Sequence, residues 1–154
     1  MEPQDLLLNL QKIIPSILTE SPVLFAYLYG SAAEGKTTEY SDVDIGLFID
    51  PKHNEVMHPY DRLVLETDIA LELERNTKLP EVDIRILNDA PLLLRGRGIQ
   101  RGYLLYSADE DFRIDYETIT LKEYLDFLPI ANHIEHSYFD RRLKALSISQ
   151  ASVK

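Results

Sequence analysis

Residues 42–49, Asp-Val-Asp-Ile-Gly-Leu-Phe-Ile, alternate with a period of two. On a strand, Val43, Ile45, Leu47 and Ile49 face one way, and Asp42, Asp44, Gly46 and Phe48 the other. An all-aliphatic face has to be buried against other elements. A slip of one residue would carry both carboxylates into that core, so the burial fixes the register. Any fold open to this chain must therefore present Asp42 and Asp44 side by side on a sheet face turned away from its aliphatic core. The pattern returns at Glu81–Leu87, where Val82, Ile84 and Ile86 share one side and Asp83 and Arg85 the other.

The elements around these strands can be read in the same way. Leu6, Leu10, Ile13, Ile14 and Ile17 recur at helical spacing, with Pro15 expected to kink or split that helix. Val23–Tyr29 is rich in aromatic and β-branched residues and reads as a strand. Gly30-Ser31 follows, with a short turn or helix to about Thr37. Pro51 to Pro59 reads as a polar loop, and Asp61–Asn76 as a helix for which Asp61 is a plausible cap. Leu92–Arg97 reads as a short helix and Tyr103–Tyr106 as a last strand. From about Asp109 the pattern is helical to near Leu146, with a break expected near Pro129. This order points to an α+β (mixed α/β) fold, with a small mixed sheet, helices packed on one face and a C-terminal helical tail. The chain has 154 residues, enough for one domain with its own core.

Two carboxylates on one strand face repel each other unless something neutralises them. A divalent cation does so, and Mg²⁺ favours carboxylate oxygens in sites that leave room for phosphate and water. If the Asp83 strand pairs with the Asp42–Ile49 strand, three carboxylates converge. Such a set can hold two metals about 3.5–4 Å apart, the arrangement used for in-line displacement at phosphorus. Gly30-Ser31 adds a turn that lets a phosphate approach the backbone, a hydroxyl donor, and N–H groups at a potential helix start. Taken singly, each feature also has an ordinary reading. Asp at a strand start serves as a turn or edge residue, Gly-Ser is a common turn, and residue pattern alone does not pair the strands.

Gly30-Ser31, ten residues, Asp42-Val43-Asp44 and a later strand bearing Asp83 together resemble the DNA polymerase β-type nucleotidyltransferase superfamily. The longer stretches Leu28–Gly35 and Ser41–Ile45, with Leu104–Tyr106 and Tyr124-Leu125-Asp126, resemble its minimal nucleotidyltransferases, including the MntA antitoxins of HEPN/MNT toxin–antitoxin pairs. That resemblance implies a polymerase β-like nucleotidyltransferase fold. It implies a single minimal domain over residues 1–154, with a catalytic core at about 20–108 and a helical extension at about 109–148. It also implies an activity: transfer of AMP from ATP to tyrosine hydroxyls of a HEPN ribonuclease toxin (HepT-like), which silences that toxin within a heteromeric complex. Carried over to this chain, Asp42 and Asp44 bind two Mg²⁺ ions, Asp83 completes the acceptor-side ion and helps deprotonate the hydroxyl, and Gly30 and Ser31 hold the triphosphate. HEPN ribonucleases carry an Arg with a His five to seven residues later, and no Arg here has such a His. The chain thus matches the transferase half of such a pair.

Composition narrows the partners. The net charge of −10 argues against direct, loose binding to nucleic acid, and no apolar run is long enough for a membrane span. The acidic start with no basic segment argues against a secretory signal, and the absence of cysteine fits a cytoplasmic address. One basic exception stands out, with Arg95, Arg97 and Arg101 within seven residues. These could contact a partner or the triphosphate, or simply be solvated. His133 and His136 lack the glutamate motif of a zinc pair. Two other functions compete with protein adenylylation: a small-molecule nucleotidyltransferase, for which the chain has little room for a substrate domain, and a module that neutralises a toxin by covering it.

Overall fold

The computed structural model describes residues 2–36 and 41–152. Its element order is α1 (Pro3–Leu18), β1 (Val23–Tyr29), α2 (Gly30–Ala33), β2 (Val43–Ile49), α3 (Pro51–Val56), α4 (Pro59–Thr77), β3 (Val82–Ile86), α5 (Leu92–Arg101), β4 (Tyr103–Ser107) and α6 (Glu110–Ala151). The four strands form one sheet in the order β3-β2-β1-β4. β1 is antiparallel to both β2 and β4, and β2 and β3 run parallel. The sheet is mixed, as the sequence implies.

The aliphatic faces of β2 and β3 meet the helices that the periodicity implies. Val43, Ile45, Leu47, Ile49, Val82, Ile84 and Ile86 pack with Leu6, Leu10, Ile14 and Leu18 of α1 and Ile69 and Leu73 of α4. Each aliphatic side chain so buried contributes roughly 1.5–3 kcal/mol. Helix α4 does more than cover this face. Glu74 accepts from the Val82 N–H at 2.9 Å, and Glu66 from the Ile86 N–H at 2.8 Å. Eight helical residues rise about 12 Å and four strand residues about 13 Å, so the two glutamates match the two amides in spacing. Edge strand β3 is thereby anchored, and with it the position of Asp83.

The other sheet face is also partly covered, so the helices lie on both sides of the sheet. Phe25, Tyr27, Phe48 and Leu87 form a second cluster with Leu94 and Ile99 of α5 and Phe112 and Tyr116 of α6. The Phe25 and Phe48 rings stack at 4.6 Å, and Tyr116 lies 5.0 Å from Phe48. The face that carries the carboxylates thus grades along β2 from exposed Asp42, through half-buried Asp44 and buried Gly46, to buried Phe48. The aromatic end is what α5 and α6 cover; the acidic end is left open.

Several local expectations are corrected. Residues 51–56 form helix α3, started by Pro51 and capped by Asp50, whose carboxylate accepts from Lys52 N–H at 2.8 Å. Helix α4 begins at Pro59, and its cap is His58, which accepts from the Tyr60 N–H; Asp61 lies inside the first turn. Pro15 does not split α1, since Leu10, Ile14 and Leu18 are buried in one row on either side of it. Pro129 does not break α6, which is one helix of 42 residues. A proline removes one backbone hydrogen bond, and the intact turns before and after it carry the helix on. The tail carries its apolar residues on the surface. Ile130, Ile134, Tyr138, Phe139, Leu143 and Leu146 are all exposed rather than in a core. The expected turn or helix to about Thr37 is seen as α2 and its cap at Glu34, and Thr37 itself lies outside the described residues.

Candidate active site

Register brings the acidic residues together. β2 and β3 pair with Asp44 directly beside Asp83, and β1 and β2 pair with Tyr29 opposite Asp44. Neighbouring strands lie roughly 4.8 Å apart, so Asp44 and Asp83 share one face at adjacent positions. Asp42 is exposed one residue before β2. Gly30 closes the site on the β1 side. Its φ of +70° is a left-handed conformation, and a Cβ there would stand 2.6 Å from Asp44 Oδ2. Glycine is therefore what allows the backbone after β1 to come up against this carboxylate.

The electrostatics show a cluster short of positive charge. Burial holds the Asp44 carboxyl above the ordinary aspartate range, and the Asp83 and Asp42 charges push it the same way, with Arg85 opposing. The Tyr29 hydroxyl is pushed up to about 12, first by burial and then by Asp44. Arg85 is the cation at hand. Its Nε donates to Asp83 Oδ2 at 3.0 Å, and that bond is the main reason its own pKa is raised. One guanidinium facing three carboxylates leaves a net negative site. Among the described residues, no three His, Cys, Asp or Glu side chains are arranged as they stand to hold a metal ion, and Asp83 is turned to Arg85. The donor set nevertheless fits a hard divalent cation: it is all carboxylate, and burial, with the charges of Asp83 and Asp42 added to it, leaves Asp44 short of a compensating positive charge.

Beside the carboxylates lies a cleft of about 330 Å³. Tyr29, Gly30 and Ser31 form one wall, and Lys36, Arg97 and Arg101 carry positive charge on the others. Helix α2 has only four residues, so its dipole adds little; the side chains around the cleft set its character.

The sequence profile of the family described as "Polymerase beta, Nucleotidyltransferase" matches residues 11–111. The chain belongs to this nucleotidyltransferase family. The match runs from the middle of α1 to the first residues of α6 and includes all five residues singled out from the sequence. Solved structures share the fold. A chain of a toxin–antitoxin complex with AMP-PNP is 20% identical, with a TM-score of 0.63, 84% of this chain covered and 98% of that one. A chain of the tri-AMPylated Shewanella oneidensis HEPN toxin in complex with MNT antitoxin is 22% identical, with a TM-score of 0.59 and coverage of 86% and 97%. A chain of an MntA–HepT toxin–antitoxin structure is 20% identical, with a TM-score of 0.58 and coverage of 86% and 97%. No curated protein matches the sequence.

Within this nucleotidyltransferase the three arginines of α5 separate by role. Arg95 is structural: it donates to the Ala90 carbonyl at 2.8 Å and the Tyr116 hydroxyl at 3.1 Å, tying α5 to α6. Arg97 and Arg101, at i and i+4, leave the same side of the helix and line the cleft. From the sequence, all three stand open between partner contact, triphosphate contact and solvent. The i,i+4 spacing was the available signal, but nothing in the sequence says that α5 packs beside Gly30-Ser31. Tyr29 was missed as a site residue because an aromatic at a strand end usually serves the core.

Proposed function

We propose that the chain is a Mg²⁺-dependent protein adenylyltransferase and the antitoxin of a HEPN/MNT pair, which moves AMP from ATP to tyrosine hydroxyls of a HEPN ribonuclease toxin and so neutralises it. The observation that carries this reading is the register that sets Asp44 beside Asp83, one strand away from Gly30. The whole chain acts as one minimal domain, with the core at about 20–108 and the helical extension at about 109–148. The shared fold with toxin–antitoxin structures, one holding AMP-PNP and one an AMPylated HEPN toxin, supports the choice of nucleotide, acceptor and partner. Among the described residues no helix is long and apolar enough to cross a membrane, and a cytoplasmic setting goes with the use of ATP.

In this reading Asp42 and Asp44 would hold both Mg²⁺ ions, and Asp83 would join them at the acceptor side once released from Arg85. Bound there, the ions would lower the pKa of the acceptor hydroxyl and neutralise the polyphosphate. Gly30 and Ser31 receive the triphosphate, with the Ser31 hydroxyl donating to a phosphate oxygen. The acceptor oxygen forms a bond to the α-phosphorus as the bond to the bridging β-phosphate oxygen breaks. Pyrophosphate leaves with that electron pair, and the hydroxyl proton passes to Asp83 or to water. Most of the acceleration comes from alignment and fixed charge.

The test is to incubate the protein with Mg²⁺, α-labelled ATP and its HEPN partner, and to follow label on protein and pyrophosphate in solution. Label on partner tyrosines, lost in Asp42→Asn/Asp44→Asn, is the expected result. Label on a small molecule instead would make the chain a small-molecule nucleotidyltransferase. The exposed apolar row of α6 favours a second reading, neutralisation by binding alone. That reading predicts full protection of cells by the same double variant.

A further inference from the structure

Glu34 holds an unusual position in the cleft beside Gly30-Ser31. Its Oε2 lies 3.0 Å from Lys36 Nζ, and its Oε1 lies 3.7 Å from an Arg101 guanidinium nitrogen and 3.9 Å from Arg97 Nε. One carboxylate thus faces three cations that come from two separate parts of the chain. Lys36, foremost, with Arg97 and Arg101 holds the Glu34 carboxyl below the usual glutamate range. The cations themselves are largely exposed, while Glu34 is half-buried. Two of the three contacts are longer than a hydrogen bond, so a single carboxylate leaves the arginine forks largely unused.

The packing of α5 shows how the arginines come to be there. A Cβ on Gly102 would lie 2.7 Å from the Leu28 carbonyl oxygen, so only glycine lets the end of α5 close onto β1 at this level. Arg97 and Arg101 are thereby carried over the strand that leads into Gly30. In a chain of net charge −10, three cations against one anion around a cleft of about 330 Å³ make a local reversal of sign. Such a reversal draws in a small polyanion and gives it more donors than Glu34 can use.

We propose that Lys36, Arg97 and Arg101 form a polyphosphate-binding wall, and that Glu34 is an internal stand-in anion which holds them in place until a polyphosphate displaces it. The proposal rests on the reading of the adjoining site as a nucleotide site and adds to it what selects triphosphate over monophosphate. The wall contacts the β- and γ-phosphates only, so AMP gains nothing from it. Removing Glu34 takes away the competitor and leaves the wall intact.

The experiment is equilibrium binding of three probes, Mg-ATP, AMP and inorganic tripolyphosphate, to the full chain. It uses the wild type, Arg97→Ala/Arg101→Ala, Arg97→Lys/Arg101→Lys and Glu34→Gln. Of the three substituted positions, Arg97 and Arg101 are largely exposed and Glu34 keeps some contact with solvent, and circular dichroism confirms that each variant is folded before binding is measured. Loss of two phosphate-facing arginines is expected to weaken Mg-ATP and tripolyphosphate by roughly 10- to 100-fold and to flatten the salt dependence, with AMP unchanged. The double lysine variant recovers part of the loss, because charge is kept and the fork is not. Glu34→Gln tightens both polyphosphates by several-fold.

Equal Mg-ATP binding by the wild type and the double alanine variant overturns the wall while the nucleotide reading stands. Tripolyphosphate binding that needs the arginines, in a protein that does not bind Mg-ATP, upholds the wall and removes the nucleotide reading. A wild type that binds neither probe overturns both. Weaker polyphosphate binding in Glu34→Gln overturns the stand-in role.

Discussion

Gly30→Ala and Gly35→Ala form a matched pair that separates backbone strain from damage to the site. Both glycines have positive φ, +70° and +68°, so alanine at either costs about 1–2 kcal/mol of left-handed strain. The surroundings differ. A Cβ at Gly35 meets nothing within 4 Å, whereas at Gly30 it stands 2.6 Å from Asp44 Oδ2. Ordinary contact begins near 3.4 Å, so the Asp44 carboxylate must retreat by about 0.8 Å. A side-chain tip can make that move at little cost in stability. It cannot do so without leaving the place where it faces Asp83, and a misplacement near 1 Å costs on the order of 10²-fold in rate. Both variants are therefore expected to lose a similar 1–2 kcal/mol in urea unfolding. In nucleotidyl transfer, Gly35→Ala should stay near wild type and Gly30→Ala should fall by about 10²-fold. Equal activity in the two variants would refute the placement of Gly30 against Asp44. So would a loss in Gly30→Ala of several kcal/mol more than in Gly35→Ala, which would make the contact structural.

Other perturbations test the site and its frame. The Asp44 carboxyl is held above its ordinary range, first by burial and then by Asp83 and Asp42. Its ionisation at neutral pH therefore works against the folded state, an opposition that fades as the pH falls through the raised value. Asp44→Asn should melt higher than wild type at pH 7 without Mg²⁺, while transfer activity is abolished. Added Mg²⁺ should raise the melting temperature of the wild type and not of the variant, and a lower melting point for Asp44→Asn would contradict this. Gly96→Ala would set a Cβ 2.2 Å from Tyr124 Cγ, where α5 meets α6. Tyr124 is buried, so the clash should cost about 1–3 kcal/mol in chemical unfolding; a neutral effect would mean the two helices part easily. Asn88 donates to the Ile49 carbonyl and accepts from the Ile49 N–H, both at 2.9 Å, closing the end of β2. Asn88→Ala should lose about 2 kcal/mol by the same assay, since two half-buried backbone groups lose their partner.

What could be read from the sequence divides along physical lines. Alternation in residues 42–49 and 81–87 gave the faces of Asp42, Asp44 and Asp83, because a strand has a strict period of two and one face was wholly aliphatic. The same argument left open which strands are neighbours. The parallel pairing of β2 with β3 depends on the α4 crossover and on Glu66 and Glu74 meeting the Ile86 and Val82 amides, side-chain contacts to the backbone of another element that no residue pattern announces. Phe48 shares the Asp44 side and is buried, yet alternation alone could not say that α5 and α6 come over to cover it. Prolines misled in both directions. Pro51 and Pro59, which on sequence bound a polar loop, start helices, while Pro15 and Pro129, expected to break helices, lie inside unbroken ones. Proline is favourable in a first turn, and its interior cost is finite, so neighbouring turns decide the outcome. Arg97 and Arg101 could not be assigned at all without the packing of α5 on β1.

The central claim is that Asp42, Asp44 and Asp83 jointly hold two divalent ions beside Gly30-Ser31. Crystals grown with Mn²⁺ and a non-hydrolysable ATP analogue, with anomalous scattering recorded at the manganese edge, test it most directly. Two anomalous peaks are expected, both within bonding distance of Asp42 and Asp44, one of them also bonded to Asp83, with Arg85 moved off that carboxylate. Ordered nucleotide with no peak among these three residues, or with Asp83 still bound to Arg85, would contradict it.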